Sequence, residues 1–250
     1  MHDNVLGCSS AMLIAQNPRV IVRTARPRPT QVVLLEATSG VVWTALCGAL
    51  VLRIFADAAP QMPIIYWVLA ILFGIVLSDF MSGFLHWFFD TFFDETTPFI
   101  GPHLIAPFRE HHRDSMAMTH HSFIELTGNS FIAYVLPLGG VWWVGPEIPE
   151  TQFGVFNYAW WTAMTIALTM TNQLHCWAHQ ASPPRFARWL QRCGMTISAT
   201  HHARHHAPPY RLAYCITNGW TNRLADKLGI FSRLEKLFIA IGVPRTTSRG

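Results

Sequence analysis

Charge is scarce in this sequence. Only 13% of its 250 residues are Asp, Glu, Lys or Arg, against about 25% in an ordinary soluble domain. Cysteine is scarce too. Cys8, Cys47, Cys176, Cys193 and Cys215 are odd in number and form no C-x-x-C, which argues against a disulfide framework or a thiolate zinc site. Lysines are few and the basic residues form no block, so the net charge of +4 does not describe a nucleic-acid surface. No repeat or low-complexity segment stands out. H-E-x-x-H is missing, because Glu110 precedes His111 and His112 in the wrong order for a zinc hydrolase. The Glu-x-x-His pairs of ferritin-like carboxylate di-iron bundles are missing as well. The start, MHDNVLGCSSAMLIA, has no basic stretch before its apolar part and does not read as a cleaved signal peptide. VLGC at 5–8 lies too near the start to be a lipoprotein cleavage box.

Apolar residues and histidine are abundant instead. The chain is 51% hydrophobic, with ten tryptophans. A helix crossing a bilayer needs roughly 20 apolar residues. Four segments meet that need: 38–57, 62–84, 129–147 and 153–174. Pro137, Gly139 and Gly140 predict a kink in the third, which membrane helices tolerate. Positive charge orients the four. Arg19, Arg23, Arg26 and Arg28 precede the first span, Arg109 and Arg113 lie between the second and third, and eleven Lys or Arg follow the fourth. The connections at 58–61 and 148–152 carry none, and Arg53 is the one exception. Both termini and the middle loop are therefore expected on the cytoplasmic side. The predicted fold is an all-α polytopic membrane bundle, with a leader at 1–35, a membrane domain at 36–242 and a tail at 243–250.

All histidines except His2 then fall on that one face. His86 ends the second span, and His103, His111, His112, His120 and His121 occupy the middle loop. His175 and His179 leave the fourth span, and ATHHARHHAPPY (199–210) adds His201, His202, His205 and His206. His175 and His179 share a helix face, as do His86 and Asp90, because residues four apart are neighbours on a helix. Asn172 lies on the side of His175, and Asp79 extends the His86 stripe into the span. An intramembrane carboxylate reads as functional by default, or as a partner for a polar group between helices. Helical spacing would keep the four rings of HH-x-x-HH on less than half a turn. Imidazole binds iron, zinc or copper. One zinc takes about four ligands, so this many rings have room for two ions. Haem would use two or four histidines and leave most unexplained. A lipid-embedded site of this kind suits a lipid substrate.

Four segments carry a family resemblance: SDFMSGFLHWFFDTF (78–92), PFREHHRDSMAMTHHSFIE (107–125), TNQLHCWAHQ (171–180) and HHARHHAPPYRLAYCITNGWTNRLADKLGIFSRLE (201–235). They resemble the lipid desaturase family, which contains the plasmanylethanolamine (CarF-like) desaturases and a plant plastid desaturase acting on phosphatidylglycerol. Phe108–His112 and His121–Glu125 match the F-R-E-H-H and H-x-F-I-E stretches of the plasmanyl branch. The resemblance implies oxidation of a 1-O-alkyl ether phospholipid to a vinyl ether. It implies two iron ions, O2 as co-substrate and an external electron-transfer protein of cytochrome b5 or ferredoxin type. The membrane would be the cytoplasmic one in a bacterium or that of the endoplasmic reticulum in an animal. The metal residues it implies are His86, His111, His112, His121, His175, His179, His201, His202, His205 and His206, with Asp90 as ligand or support. Phe123, Ile124 and Glu125 would shape the pocket, Asn172 would lie beside the substrate, and Arg109 or Arg113 would hold the lipid phosphate. The alternatives are oxidation of another phospholipid chain, or a non-catalytic haem- or metal-binding redox sensor. FSRLEKLFIAIG (231–242) is amphipathic and reads as an interfacial helix.

Overall fold

The computed structural model describes residues 28–57, 63–144 and 152–246, and the described residues are helical with no strand element. The leader before residue 28, the connections at 58–62 and 145–151 and the last four residues lie outside them. Four long helices dominate: α1 (Thr30–Asp57), α2 (Ile64–Thr91), α4 (Phe123–Val144) and α5 (Gln152–His179). Between α2 and α4 lie a π-type turn (Gly101–Ile105) and α3 (Ala106–Arg113). After α5 come α6 (Arg185–Arg192), α7 (Ala199–His202), α8 (Asn222–Leu228) and α9 (Ile230–Ala240).

The long helices are inside-out relative to a water-soluble bundle. α2 buries Gly74, Ser78, Asp79, Ser82, Gly83, His86 and Asp90, while Ile65, Leu69, Leu72 and Phe73 are exposed. α5 likewise buries Thr162, Thr165, Thr169, Thr171 and His175. Small and hydroxyl side chains suit helix contacts in lipid, where outward apolar groups cost nothing. Two helical stretches, Thr30–Ile54 and Ile64–Thr91, are long and apolar enough to cross a membrane, and most of each faces outward.

Close approaches set the directions. Gly74 of α2 lies against the Trp160 carbonyl of α5, where an added Cβ would sit 2.3 Å from the oxygen. Further along both helices, the rings of His86 and His175 are 5.7 Å apart, so α2 and α5 run parallel. On α1 and α4, Glu36 meets Gly128 and Trp43 meets Phe131, so this pair is parallel too. Asn172 of α5 donates to the Leu126 carbonyl of α4 at 2.9 Å, tying the two pairs together. The starts of α1 and α4 and the ends of α2 and α5 thus gather at one end of the bundle.

α2 continues past the span at 62–84 to Thr91, and α5 past that at 153–174 to His179, their last turns buried beneath α3 and the 201–217 segment. His86 with Asp90, and His175 with His179, thus sit within helices, as their spacing of four implied. α4 runs on through Pro137. α9 is partly a packing helix: Phe231, Leu234 and Phe238 lie against Trp87, Phe84 and Phe88, while Leu237 and Ile241 stay exposed.

Candidate metal centre

The site is built on one polar stripe of α2. Asp79 accepts hydrogen bonds from the backbone N–H groups of Asn218, Gly219 and Thr221 and from the Thr221 hydroxyl. Ser82 Oγ accepts from Ile216 N–H at 3.1 Å. One turn on, His86 Nδ1 lies 3.2 Å from the Tyr214 carbonyl. Asp79, Ser82 and His86 thus fasten the 214–221 segment along α2. Gly83 permits the approach, since a Cβ there would sit 2.3 Å from Cys215 Sγ. Asp79 is therefore the partner of a loop backbone, which explains a buried carboxylate without a catalytic role.

That loop fixes the rings in turn. His205 Nδ1 lies 3.0 Å from the Leu212 carbonyl. A ring whose Nδ1–H donates to a carbonyl presents Nε2 as a lone pair, the form a metal takes. His86 and His205 are both held this way. Asn222 clamps both backbone groups of Cys215 at 2.8 Å, and Asp226 accepts from Ala213 N–H at 3.1 Å.

Two sets of donors result. In the first, His86, His111, His112 and His205 bring their donor atoms within 4.8 Å of one another. Asp90 Oδ2 joins them, 3.0 Å from His112 Nε2, 3.5 Å from His86 Nε2 and 3.6 Å from His205 Nε2. In the second, His111, His175, His202 and His206 do the same. His179 Nε2 joins these at 3.0 Å from both His175 and His202. His111 belongs to both sets.

The arrangement fits metal ions. The buried Nε2 atoms of His86 and His111 and Oδ1 of Asp90 have no hydrogen-bond partner among the described residues. Such orphaned atoms are costly unless something else takes their lone pairs. The Nε2 contacts His175–His202, His206–His202 and His205–His112 measure 2.7, 2.9 and 3.2 Å. Adjacent donors on a six-coordinate ion with bonds of about 2.1 Å are separated by about 3.0 Å. Burial, and then the neighbouring imidazoles, hold His111 and His202 well below the usual histidine range. The same causes bring His206 down to about 3. These three rings are thus neutral near pH 7, as ligation requires. Imidazoles with one carboxylate suit iron, zinc or copper. Two rings flanking a porphyrin would have donors about 4 Å apart, wider than these contacts.

Beside the donors lies a cavity of about 320 Å³ between α2, α4 and α5. His111 and His175 form part of its wall, Leu85, Phe89, Ala133, Tyr134 and Leu168 give it apolar sides, and Glu110, His121, Glu125 and Asn129 are polar lining residues. A capping box holds Glu125, whose Oε2 accepts from Ser122 N–H at 2.6 Å.

Not every expected site residue joins the donors or the cavity. His201 turns away from the other three rings of its segment and packs on Gly219 and Asn222, because the α7 turn directs it to the opposite side. His121 follows the Ala117–His120 turn in extended conformation, is exposed and lines the cavity, outside both donor sets. Arg109 is buried, and Nη2 donates to the carbonyls of Phe89, Phe92 and Phe93 at 3.1, 3.2 and 2.7 Å. Nη1 donates to Thr246 Oγ1 at 3.0 Å. Nη1 and Nη2 are thus engaged at the end of α2, and the buried side chain lies off the cavity wall. Arg113 pairs with Glu95 at 2.9 Å, off the cavity wall. Phe123 lies beside Phe131, also off the wall, whereas Glu125 and Asn172 line it. The carbonyls of Leu212 and Tyr214 carry no sequence signal. Of the Asp79–His86 stripe, only Ser82 went unnoticed, although its place between the two on one helix face could have added it.

Residues 75–246 match the lipid desaturase domain. The chain is 39% identical over 181 residues to a plasmanylethanolamine desaturase of Myxococcus xanthus, covering 68% of this chain and 60% of that protein. It is 35% identical over 173 residues to plasmanylethanolamine desaturase 1 of Mus musculus, covering 68% and 64%. It is 32% identical over 182 residues to the chloroplastic fatty acid desaturase 4 of Arabidopsis thaliana, covering 70% and 53%. The chain thus spans less than two thirds of the length of these relatives. No solved structure matches it.

Proposed function

Because this chain belongs to the lipid desaturase domain family, we propose that it is a di-iron membrane desaturase that converts plasmanyl ethanolamine phospholipids to vinyl ether plasmalogens. The observation that carries the reading is the shared wall. A largely apolar cavity has His111 and His175 in its wall, His175 from the second donor set and His111 from both. The alkyl chain would lie along Leu85, Phe89, Ala133 and Leu168, with its ether end near the two histidines and its headgroup toward Glu125 and Asn129.

His86, His112, His205 and Asp90 would hold one iron, His175, His179, His202 and His206 the other, and His111 would serve both. Bound iron supplies O2-dependent oxidation, in which adjacent alkyl carbons lose two hydrogens and O2, two donor electrons and two protons end as two waters. The protein contributes position and exclusion. The Leu212 and Tyr214 carbonyls fix two rings, Asp90 offsets positive charge among buried donors, and the apolar walls keep bulk water from the reacting carbons. Asn172 holds α4 against α5, setting the width of the cavity.

Four spans are proposed, formed by the long helices, with the donor sets and both termini on the cytoplasmic side. The positive-inside count and the gathering of four helix ends at one face support this. Electrons would come from an external cytochrome b5 or ferredoxin-type protein. Higher identity to the two plasmanylethanolamine desaturases favours the ether substrate over the acyl chain suggested by the plant relative.

Expression in a plasmalogen-free cell fed alkylglycerol tests the reaction. Acid-labile vinyl ether lipids are expected. Folded, iron-loaded protein that instead desaturates an acyl chain would transfer the assignment to that substrate.

A further inference from the structure

Residues 180–225 contain six arginines and no Asp or Glu. Three of the six, Arg185, Arg188 and Arg192, are exposed on α6. The helix buries Ala187 completely but leaves Phe186 64% and Trp189 54% exposed, their rings 6.2 Å apart and stacked. The apolar surface continues past its end: Met195 is 52% exposed, and Trp220, 47% exposed, donates its Nε1–H to the Gly194 carbonyl at 2.6 Å. α9 offers no such surface on its inward side, because Phe231, Leu234 and Phe238 already pack against α2.

Only residues 180–184 separate α6 from the end of α5, a reach of at most about 22 Å. Resting on the proposal that α5 spans the bilayer, this places α6 near the membrane surface. Aromatic rings with a polar edge prefer the headgroup level. Arginines beside them match anionic lipid phosphates in charge and in fork geometry.

We propose that α6 and Trp220 form an interfacial foot that seats the donor-bearing end of the protein on an anionic lipid surface. Phe186, Trp189 and Trp220 enter the headgroup–acyl boundary, and Arg185, Arg188 and Arg192 contact lipid phosphates. The foot steadies the segment that carries His202, His205 and His206 relative to the bilayer.

The test uses the full chain in vesicles. A nitroxide is attached through Trp189→Cys in a Cys8→Ser, Cys193→Ser background, since Cys47, Cys176 and Cys215 are buried. A second label through Leu69→Cys, on the exposed face of α2, reports the span itself. In vesicles rich in phosphatidylglycerol, the position 189 label is expected at headgroup–acyl depth, with oxygen access several-fold above that of a water-soluble nickel chelate. In phosphatidylcholine alone it is expected to be shallower. Replacing Arg185, Arg188 and Arg192 by Gln is expected to abolish that lipid dependence while iron content stays unchanged. A label in water in anionic vesicles, with the position 69 label in hydrocarbon, overturns the foot alone. Binding of an acidic soluble protein to that water-exposed face would reassign it. Both labels in water would overturn the membrane placement instead.

Discussion

Arg109→Met removes a guanidinium from the end of α2 while keeping a side chain of similar length. The native group donates to the carbonyls of Phe89, Phe92 and Phe93 and to the Thr246 hydroxyl. The contacts at 2.7 and 3.0 Å are well formed, and the other two share one nitrogen with the first. A hydrogen bond to a charged group contributes about 1.5–3 kcal/mol, so two full contacts and two weak ones together give about 4 kcal/mol. A cation at a helix C-terminus is also favoured by the helix dipole. For a chain of this size, that loss lowers the melting temperature by about 10 °C. Arg109→Lys should recover less than half, because one ammonium cannot span the same acceptors. Thermal unfolding in nanodiscs reads the loss, and initial rates on ether phospholipid read KM for the surviving enzyme. The expected result is a large drop in stability and iron retention, since His86 and Asp90 ride on the last turns of α2, with KM unchanged. Unchanged melting with a tenfold rise in KM would refute the capping role and restore a phosphate contact.

Other substitutions probe other parts of the account. His111→Ala is expected to weaken iron binding at both sites, whereas His86→Ala should weaken it at one, because among the described residues only His111 belongs to both donor sets; equal losses measured by elemental analysis would contradict the sharing. Gly83→Ala should destabilise the protein by about 2 kcal/mol, since its Cβ would meet Cys215 Sγ at 2.3 Å; denaturation in mild detergent checks this. Ala133→Phe should shift preference toward shorter alkyl chains without loss of iron, as this residue lines the apolar side of the cavity; product profiling across chain lengths decides. Glu125→Gln keeps the capping box, which accepts Gln as readily as Glu, yet removes a charge from the cavity wall. It should raise KM for ethanolamine lipids relative to uncharged headgroups, and an unchanged ratio would assign Glu125 to capping alone.

Local periodicity made much of this legible. His86 with Asp90 and His175 with His179 meet because i and i+4 share a helix face, and the scarcity of charge marked the helices around them. What periodicity does not encode is which distant backbone meets a side chain. Arg109 looked like a phosphate ligand because the carbonyls it caps come from 89–93, in another segment. His201 shares its tract with three donors, but a single turn geometry sends its ring to Asn222 instead. The cavity was invisible for the same reason: its walls come from α2, α4 and α5 together with the 104–121 segment, and no one of them carries its outline.

The central claim is that two histidine sets, joined at His111, hold two irons beside a lipid-sized cavity. Elemental analysis of purified full-length protein, with its absorption spectrum, tests this most directly. The account expects about two irons per chain, little zinc or copper and no haem band, given that one ion takes about four protein ligands. Folded protein that saturates at one iron, or that carries haem, would contradict it.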